Sequence, residues 1–321
     1  MSRPLLLVLA LLGCAACDVD DTADDAADER AGTTPTTTGG WGCKGCGFTN
    51  SAYLGTFPLE SFALGVTPRT GEARLVGIVD PAGVQRSVGL DDDAFTATKN
   101  NTVYKGGQLI GWTLLFDLGA PKLAEVKIQG HANHPDWVTG APVDTYALAY
   151  LDRSSGEVVP LEVCPGLGFE ETSIVLLPGE TYDMNGVTVT PAQSGHTTLA
   201  CRGHALAKMK LMGYGPTDGY GSGWEQRQGT LKMLTADYCG KGHSFTVVGT
   251  PLQWADDLGN FPLLGNESPA QLEAKWDHKG ALCLDTPRLV KRSEVEGLCT
   301  LPRCNGDYAS FGGGNWISIR P

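Results

Sequence analysis

Residues 235–246 read TADYCGKGHSFT and place an acid (Asp237), a phenol (Tyr238), a thiol (Cys239) and an imidazole (His243) within one short stretch. Two glycines separate these groups. Because glycine readily adopts backbone conformations with positive φ, the spacing predicts a tight turn at this point in the chain. The stretch has two interpretations: a catalytic site, or a structural centre on which the fold is built.

In the catalytic interpretation His243 is a general base, Asp237 orients it and Ser244 is the nucleophile of a hydrolase. Adjacent side chains on a strand point to opposite faces, so His243 and Ser244 meet only if the chain turns at Gly242. The sequence contains no Gly-x-Ser-x-Gly nucleophile turn. In the structural interpretation Asp237 accepts backbone N–H groups of the turn, Tyr238 packs and Cys239 is bridged. We favour the structural interpretation.

The composition predicts a turn-rich β protein without a nucleic-acid partner. The chain has 321 residues, 41% of them hydrophobic, with 43 Gly and 19 Pro. This is enough apolar residue for a core and suggests many short elements joined by turns. The net charge of -12 and the absence of a basic patch exclude a partner that is bound through its phosphate backbone.

The first 40 residues indicate export and a membrane anchor. Residues 1–17 have a basic start and a short apolar run, as in a signal peptide, and residues 11–14 (LLGC) resemble a bacterial lipobox. Cys14 is therefore the predicted lipidation site, with Cys17 as the alternative. Residues 18–40 are acidic and threonine-rich, which predicts a disordered tether because they hold too little apolar surface to form a core.

Residues 41–190 predict a β-rich region, and residues 191–321 a region with short helices, although 41–321 can also form one continuous domain. Apolar or alternating runs bounded by turn residues predict strands at 74–79, 109–116, 125–128, 145–151, 158–163, 173–177 and 187–189. The predicted fold is mainly β, an antiparallel sandwich or barrel, with a mixed α+β, loop-rich and disulfide-braced C-terminal half.

Four helices are predicted after residue 200. Apolar residues at helical spacing indicate helices over 205–213 and from 224 toward 238. Ser268-Pro269 followed by Gln271 resembles a capping box that opens a helix toward Trp276, and Thr286-Pro287 opens another that ends near Gly297.

The cysteines of the exported part predict disulfides. We expect four bridges among Cys43, Cys46, Cys164, Cys201, Cys239, Cys283, Cys299 and Cys304. Cys164–Cys201 is the preferred pair, and Cys299 with Cys304 is a candidate local pair. The Cys43-x2-Cys46 spacing also occurs in zinc and thiol-redox sites, which stay open as alternatives.

Histidines and aromatic residues supply further candidate sites. His131, His134 and Asp136 form the one close group of zinc or iron ligands, in what reads as a polar loop, and an exposed loop without metal is the favoured interpretation, so no cofactor is predicted. Tyr214, Tyr220 and Trp224 lie in a glycine-rich stretch of the kind that stacks on sugar rings, which makes them candidates for ligand binding, but core packing is the favoured interpretation.

Residues 236–240 (ADYCG), with Gly242, Ser244 and Thr246, resemble the signature of the ADYC-domain proteins. Stretches around 199–216, 273–288 and 43–51 are similar to the segments that flank this signature. The resemblance implies an exported, often lipid-anchored bacterial protein and a disulfide framework, and it implies no reaction. That family usually has a cysteine where this chain has Met209, and another within 226–233, so one bridge is expected to be missing here.

Together these patterns predict a lipoprotein of the bacterial envelope, at the outer membrane or cell surface, or a secreted protein. The expected function is a non-enzymatic binding or structural module that contacts the membrane through its lipid, with a carbohydrate or an envelope protein as ligand. The alternative is an envelope hydrolase or a metal-dependent enzyme that uses the residues named above.

Overall fold

A computed structural model describes residues 50, 52–119, 123–164, 172–218, 223–247, 250–263 and 265–320. The predicted signal peptide and tether, Cys14, Cys17, Cys43, Cys46 and Tyr220 lie outside the described residues. All described residues fall within one compact unit. None of their helices has both the length and the apolar character that crossing a membrane requires.

The described residues form nineteen short strands, in agreement with the predicted mainly β architecture. In chain order they are β1 (Tyr53–Leu54), β2 (Phe57–Pro58), β3 (Ser61–Ala63), β4 (Ala73–Val79), β5 (Gln85–Asp91), β6 (Ala94–Lys99), β7 (Thr102–Lys105), β8 (Thr113–Asp117), β9 (Ala124–Pro135), β10 (Pro142–Asp152), β11 (Val159–Glu162), β12 (Ser173–Pro178), β13 (Thr181–Asp183), β14 (Thr188–Thr190), β15 (His196–Cys201), β16 (Gln253–Asp256), β17 (Leu272–Asp277), β18 (Gly280–Leu284) and β19 (Trp316–Ile319).

Seven of the described strands close into a barrel. The pairing runs β3-β15-β12-β10-β9-β8-β4, and β4 returns to β3 through a parallel pair in which Phe62 lies beside Ala73. The other pairs around the ring are antiparallel. Strands β5 to β7 extend from the end of β4, and β11 pairs with the end of β10. Closure leaves no open edge within the ring, which is how a barrel protects its strands.

The barrel interior is apolar and aromatic. Phe62 and Phe95 stack with centroids 6.2 Å apart, and Phe116 and Tyr146 pack edge-on to them at 5.6 and 5.1 Å. All four side chains are fully buried. Burial of each large side chain contributes about 2 kcal/mol, so this cluster is a main source of the barrel's stability.

Strand β12 belongs to two cores at once. Ile174 and Leu176 face the barrel interior, whereas Val175 and Leu177 belong to a second core shared with the C-terminal region. Alternate side chains of a strand point to opposite faces, so a strand covered on both sides must be apolar throughout. This explains the unbroken apolar run at residues 174–177.

The region after β15 combines short helices with a second sheet. Helix α1 (Ala205–Met209) continues into a π-helical turn (Lys210–Tyr214), followed by α2 (Trp224–Thr235) and α3 (Arg292–Glu296). A 3-10 turn forms at Pro269–Gln271, and another lies before β8, at Gly106–Leu109. Strands β16, β19, β17 and β18 make an antiparallel sheet in that order. The predicted mixed character of this half is confirmed. Met209, at the family's usual cysteine position, is fully buried in the second core.

Two helix predictions in this half are wrong in part. Ser268 does cap a turn, since its Oγ accepts the N–H of Ala270, but the chain then enters β17 because all but the last of the residues of that strand are buried in pairs with β18 and β19. The helix expected from Thr286-Pro287 begins only at α3. The N–H of Arg288 instead donates to side chains of the second core.

Three disulfides join the described residues. Cys164–Cys201 forms as predicted and ties the chain after β11 to the end of β15. The others are Cys239–Cys299 and Cys283–Cys304, so the predicted local pair Cys299–Cys304 is wrong. Hydrogen bonds to Asp285 hold Cys304 beside β18, while α3 directs Cys299 toward the signature.

Candidate functional site

Helix α2 ends directly before the signature, at a residue with left-handed backbone conformation. Ala236 has φ of 53°, and the N–H of Asp237 donates to the carbonyl of Lys232 at 2.9 Å. This six-residue closure is a common way to satisfy the last carbonyls of a helix. It turns the chain sharply, so that Asp237 points back toward the helix it has just left.

The Asp237 carboxylate is completely buried and is used by the turn itself. Lys232, also buried, donates from Nζ to Oδ2 at 2.7 Å. The backbone N–H groups of Lys241 and Gly242 donate to the same carboxylate at 3.0 and 2.7 Å. Lys232 donates further to the carbonyl of Gly186 at 2.8 Å. The acid of the signature therefore holds the turn together, as the structural interpretation predicted.

Both signature glycines are required by close contacts. Gly240 has φ of 65°, and a Cβ there would lie 1.6 Å from the carbonyl oxygen of Lys279. Gly242 has φ of 79°, and its Cβ would lie 1.9 Å from the carbonyl oxygen of Asn185. The turn is thus wedged between the β13–β14 and β17–β18 connections, and only glycine fits at these two positions.

Tyr238 connects the signature to a second buried ion pair. Its ring stacks on Trp276 with centroids 5.2 Å apart, and its hydroxyl donates to Glu273. Arg288 grips the Glu273 carboxylate with two bonds of 2.8 Å. Burial, reinforced by the Glu273 charge, raises the pKa of Tyr238 well above its usual value. The phenol therefore stays protonated and acts as a hydrogen-bond donor.

The predicted catalytic set is not brought together. Ser244 donates from Oγ to the carbonyl of Thr235 at 2.7 Å, and the ring of His243 packs edge-on against Phe245 with centroids 4.5 Å apart. Asp237 is committed to Lys232 and the turn. The three candidates thus have separate structural partners in place of one another.

The predicted metal ligands are also separated. His131 and His134 lie within β9, not in a loop, and a three-residue step along a strand points them to opposite faces. His131 bonds the Asp144 carboxylate, whereas Asp136 accepts the N–H groups of the turn that follows it, at residues 138, 139 and 141. Among the described residues no three His, Cys, Asp or Glu side chains are grouped as ligands of one metal ion.

The two aromatic candidates within the described residues, Tyr214 and Trp224, do not share a surface either. Tyr214 is a core residue, because its ring packs edge-on to Trp316 at 5.0 Å and its hydroxyl donates to buried Asp256. Trp224 is 38% exposed at the start of α2 and packs edge-on against His278. Tyr214 is therefore wrong as a ligand-binding candidate, and core packing, the favoured interpretation, applies to it.

Two other tryptophans do meet at the surface. Trp137 and Trp254, hereafter the tryptophan pair, stack with centroids 6.0 Å apart and ring planes within 22°. Trp137 is 46% exposed, and Trp254 is half-buried. Phe261 packs edge-on beneath Trp254 at 6.0 Å. Sequence reasoning missed this pair because its members lie far apart in the chain and share no local pattern.

Buried charges at the junction of barrel and helices were missed for the same reason. Lys210, in the π-helical turn, reaches Asp93 at 3.0 Å and Asp218 at 2.5 Å. Arg227 of α2 pairs with Glu180. A charge within an otherwise apolar helical run is a usable signal of such a pair, but the sequence does not identify the partner.

A family model described as the ADYC domain matches residues 106–290, which is more than half of the chain. The matched range contains the signature turn, α2 and the Glu273–Arg288 pair. The chain belongs to the ADYC-domain family. In this chain Asp237 and Tyr238 of the signature are buried, and their side chains bond to Lys232 and Glu273. Comparison with curated proteins and with solved structures gave no match.

Proposed function

We propose that this ADYC-domain protein is an exported lipoprotein of the cell envelope that acts as a non-enzymatic binding module. The observation that carries the proposal is the fate of the signature. Asp237, Ser244 and His243 each contact a different neighbouring group of the fold. These distinctive residues therefore support the stability of the fold. Surface aromatic residues then remain as the means of contacting a ligand.

The covalent framework supports the location. Three disulfides in the described residues are typical of proteins that fold in an oxidising compartment. The lipobox-like LLGC at residues 11–14 supports acylation at Cys14, with Cys17 as the other acceptor. An acidic segment of more than twenty residues then separates the anchor from the fold. Such a module samples the space above a membrane surface.

Cell fractionation and intact mass of the mature protein test the anchor. Expressed with its own leader in a bacterial host, the wild-type chain is expected in the membrane fraction with the added mass of a diacylglyceryl group. Cys14→Ser is expected to abolish the modification, and Cys17→Ser serves as the matched control. A soluble, unmodified wild-type protein would show that the anchor is wrong.

Binding and turnover on the same polymers test the non-enzymatic part. Purified peptidoglycan and neutral polysaccharides are incubated with the full chain, and both retained protein and released product are measured. We expect retention without product, unchanged in His243→Ala. Product release that His243→Ala abolishes would replace the binding module with a hydrolase.

A further inference from the structure

Backbone hydrogen bonds and the ring of Phe261 hold the tryptophan pair in place. The backbone N–H of Trp137 donates to the carbonyl of Leu211 at 2.7 Å. The Asp136 carboxylate holds the turn that follows, because it accepts the backbone N–H groups of Val138 and Thr139. Trp254 lies in β16, paired with Ser318 of β19, and is backed by Phe261. A surface that is already ordered loses little side-chain entropy on binding. Rigid aromatic residues at a surface are therefore suited to contact a ligand.

The exposed aromatic area is too small to form a protein interface by itself. A tryptophan side chain can bury roughly 200 Å², and Trp137 is 46% exposed, which leaves on the order of 100 Å² of open ring surface. A stable protein interface needs about 800 Å² on each side. The open ring surface instead matches the face of one small ring.

The charge around the pair disfavours an acidic ligand. The chain carries a net charge of -12. The loop that joins Trp254 to Phe261 contains the exposed residue Asp257, whose carboxylate accepts from the side-chain amides of Gln226 and Asn315. A negative charge in this loop disfavours ligands that carry carboxylates or phosphates.

We infer that the open face of Trp137, backed by Trp254, binds a pyranose ring of a neutral polysaccharide. In a pyranose with equatorial hydroxyls, the axial C–H bonds form a flat apolar face that stacks on an indole, while the hydroxyls at the ring edge remain in contact with water. The inference rests on the proposed binding function and supplies its ligand class. It also moves the site from Tyr214, Tyr220 and Trp224 to Trp137 and Trp254.

Affinity electrophoresis of the full chain and calorimetric titration with cellohexaose and chitohexaose test the site, with oligogalacturonate as the acidic counterpart. Trp137→Ala and Trp254→Ala are compared with Trp224→Ala, which removes an exposed tryptophan elsewhere. Thermal unfolding confirms that each variant is folded. Trp137→Phe keeps an aromatic face and is expected to retain part of the affinity, which loss of folding would not explain.

We expect that the chain binds a neutral hexamer, that Trp137→Ala and Trp254→Ala each lower the affinity at least tenfold, that Trp224→Ala leaves it unchanged, and that oligogalacturonate does not bind. Equal affinity in the wild-type chain and in both variants of the tryptophan pair would overturn the site while leaving the proposed binding function intact. Preference for oligogalacturonate would overturn the ligand class. Retention on peptidoglycan without affinity for either hexamer would also overturn this inference, and absence of retention on every polymer would overturn the proposed function itself.

Discussion

The barrel and the C-terminal region are stabilised by different means. The barrel closes through backbone pairing around an apolar interior. Its Arg74–Asp117 ion pair is partly exposed, but the turn after β4 holds a buried carboxylate, Asp80, which pairs with Arg86 and Lys99. In the C-terminal region the side chains of the Lys232–Asp237 pair are 1% and 0% exposed. Both regions thus contain a turn held by a buried acid; they differ because strand closure supports the barrel, whereas buried contacts around the signature turn support the C-terminal region.

The buried pair makes the signature turn of this chain sensitive to substitution. Exposed ion pairs contribute little, usually under about 1 kcal/mol, so their residues are easily exchanged. A buried pair is not strongly stabilising in itself, but removal of one partner leaves an isolated charge and costs about 3–5 kcal/mol. A turn built from Asp237, its two close-packed glycines and a disulfide therefore tolerates few substitutions.

Glycine substitutions should separate the two regions most sharply. Gly240→Ala places a Cβ against the Lys279 carbonyl, and the loss of unfolding free energy should exceed about 4 kcal/mol. Gly83→Ala, in the β4–β5 turn of the barrel, has a similar positive φ of 81° but no atom within 4 Å, so it should cost only about 1 kcal/mol. Urea unfolding measures both, or soluble yield where Gly240→Ala does not fold. Equal costs would show that the signature turn is not wedged as described.

Disulfide removal should follow loop length and not region. The Cys239–Cys299, Cys164–Cys201 and Cys283–Cys304 bridges span 60, 37 and 21 residues. Chain entropy predicts losses from about 4 kcal/mol for the longest to about 3 kcal/mol for the shortest when both cysteines become serine. Thermal unfolding of the three double variants gives the order. If loss of Cys164–Cys201 lowered the stability more than loss of either other bridge, the view that the barrel is held by its strands would be contradicted.

Acidification should weaken the junction of the two regions through His204. Burial, with a smaller effect of Lys208, lowers the pKa of His204 to about 4, against about 6.5 in the unfolded chain. Between these two pH values the unfolded state therefore binds more protons than the folded state. The contribution of His204 to the free energy of unfolding is fully present above pH 6.5 and is lost as pH falls toward 4. Between pH 7 and 5.5 we expect a loss of about 1 kcal/mol.

His204→Leu should flatten this slope, measured by urea unfolding at several pH values. His134 in the barrel strand β9 also has a lowered pKa, caused by burial and Arg202, so His134→Leu is the matched control and should flatten the slope less. An unchanged slope in His204→Leu would show that this histidine is not the source of the acid sensitivity.

Much of the barrel was accessible from sequence because its signals are local. Alternating or continuous apolar runs predicted β4, β8, β10 and β12, and Cys164–Cys201 followed from the strands between its members. The errors arose where tertiary pairing prevailed over local propensity. The capping box at Ser268 forms, yet its chain becomes β17 because two neighbouring strands pair with it.

The candidate sites were harder to predict because their partners are remote. Asp237 and His243 look like a catalytic pair in the sequence, but the partner of Asp237 is Lys232, one helical turn back, and neither residue reveals this alone. The link from Tyr238 through Glu273 to Arg288 spans three elements. Trp137 and Trp254 meet only because the barrel and the second sheet pack together.

The most direct test of the account is a double-mutant cycle between Lys232 and Asp237, measured by urea unfolding at pH 7. Asp237→Ala alone should lose about 3–5 kcal/mol, because it leaves the Lys232 ammonium buried without its counter-charge. Adding Lys232→Met should recover at least about 1 kcal/mol of that loss. If Asp237→Ala is as stable as the wild-type chain, the signature turn is not a structural centre of this protein.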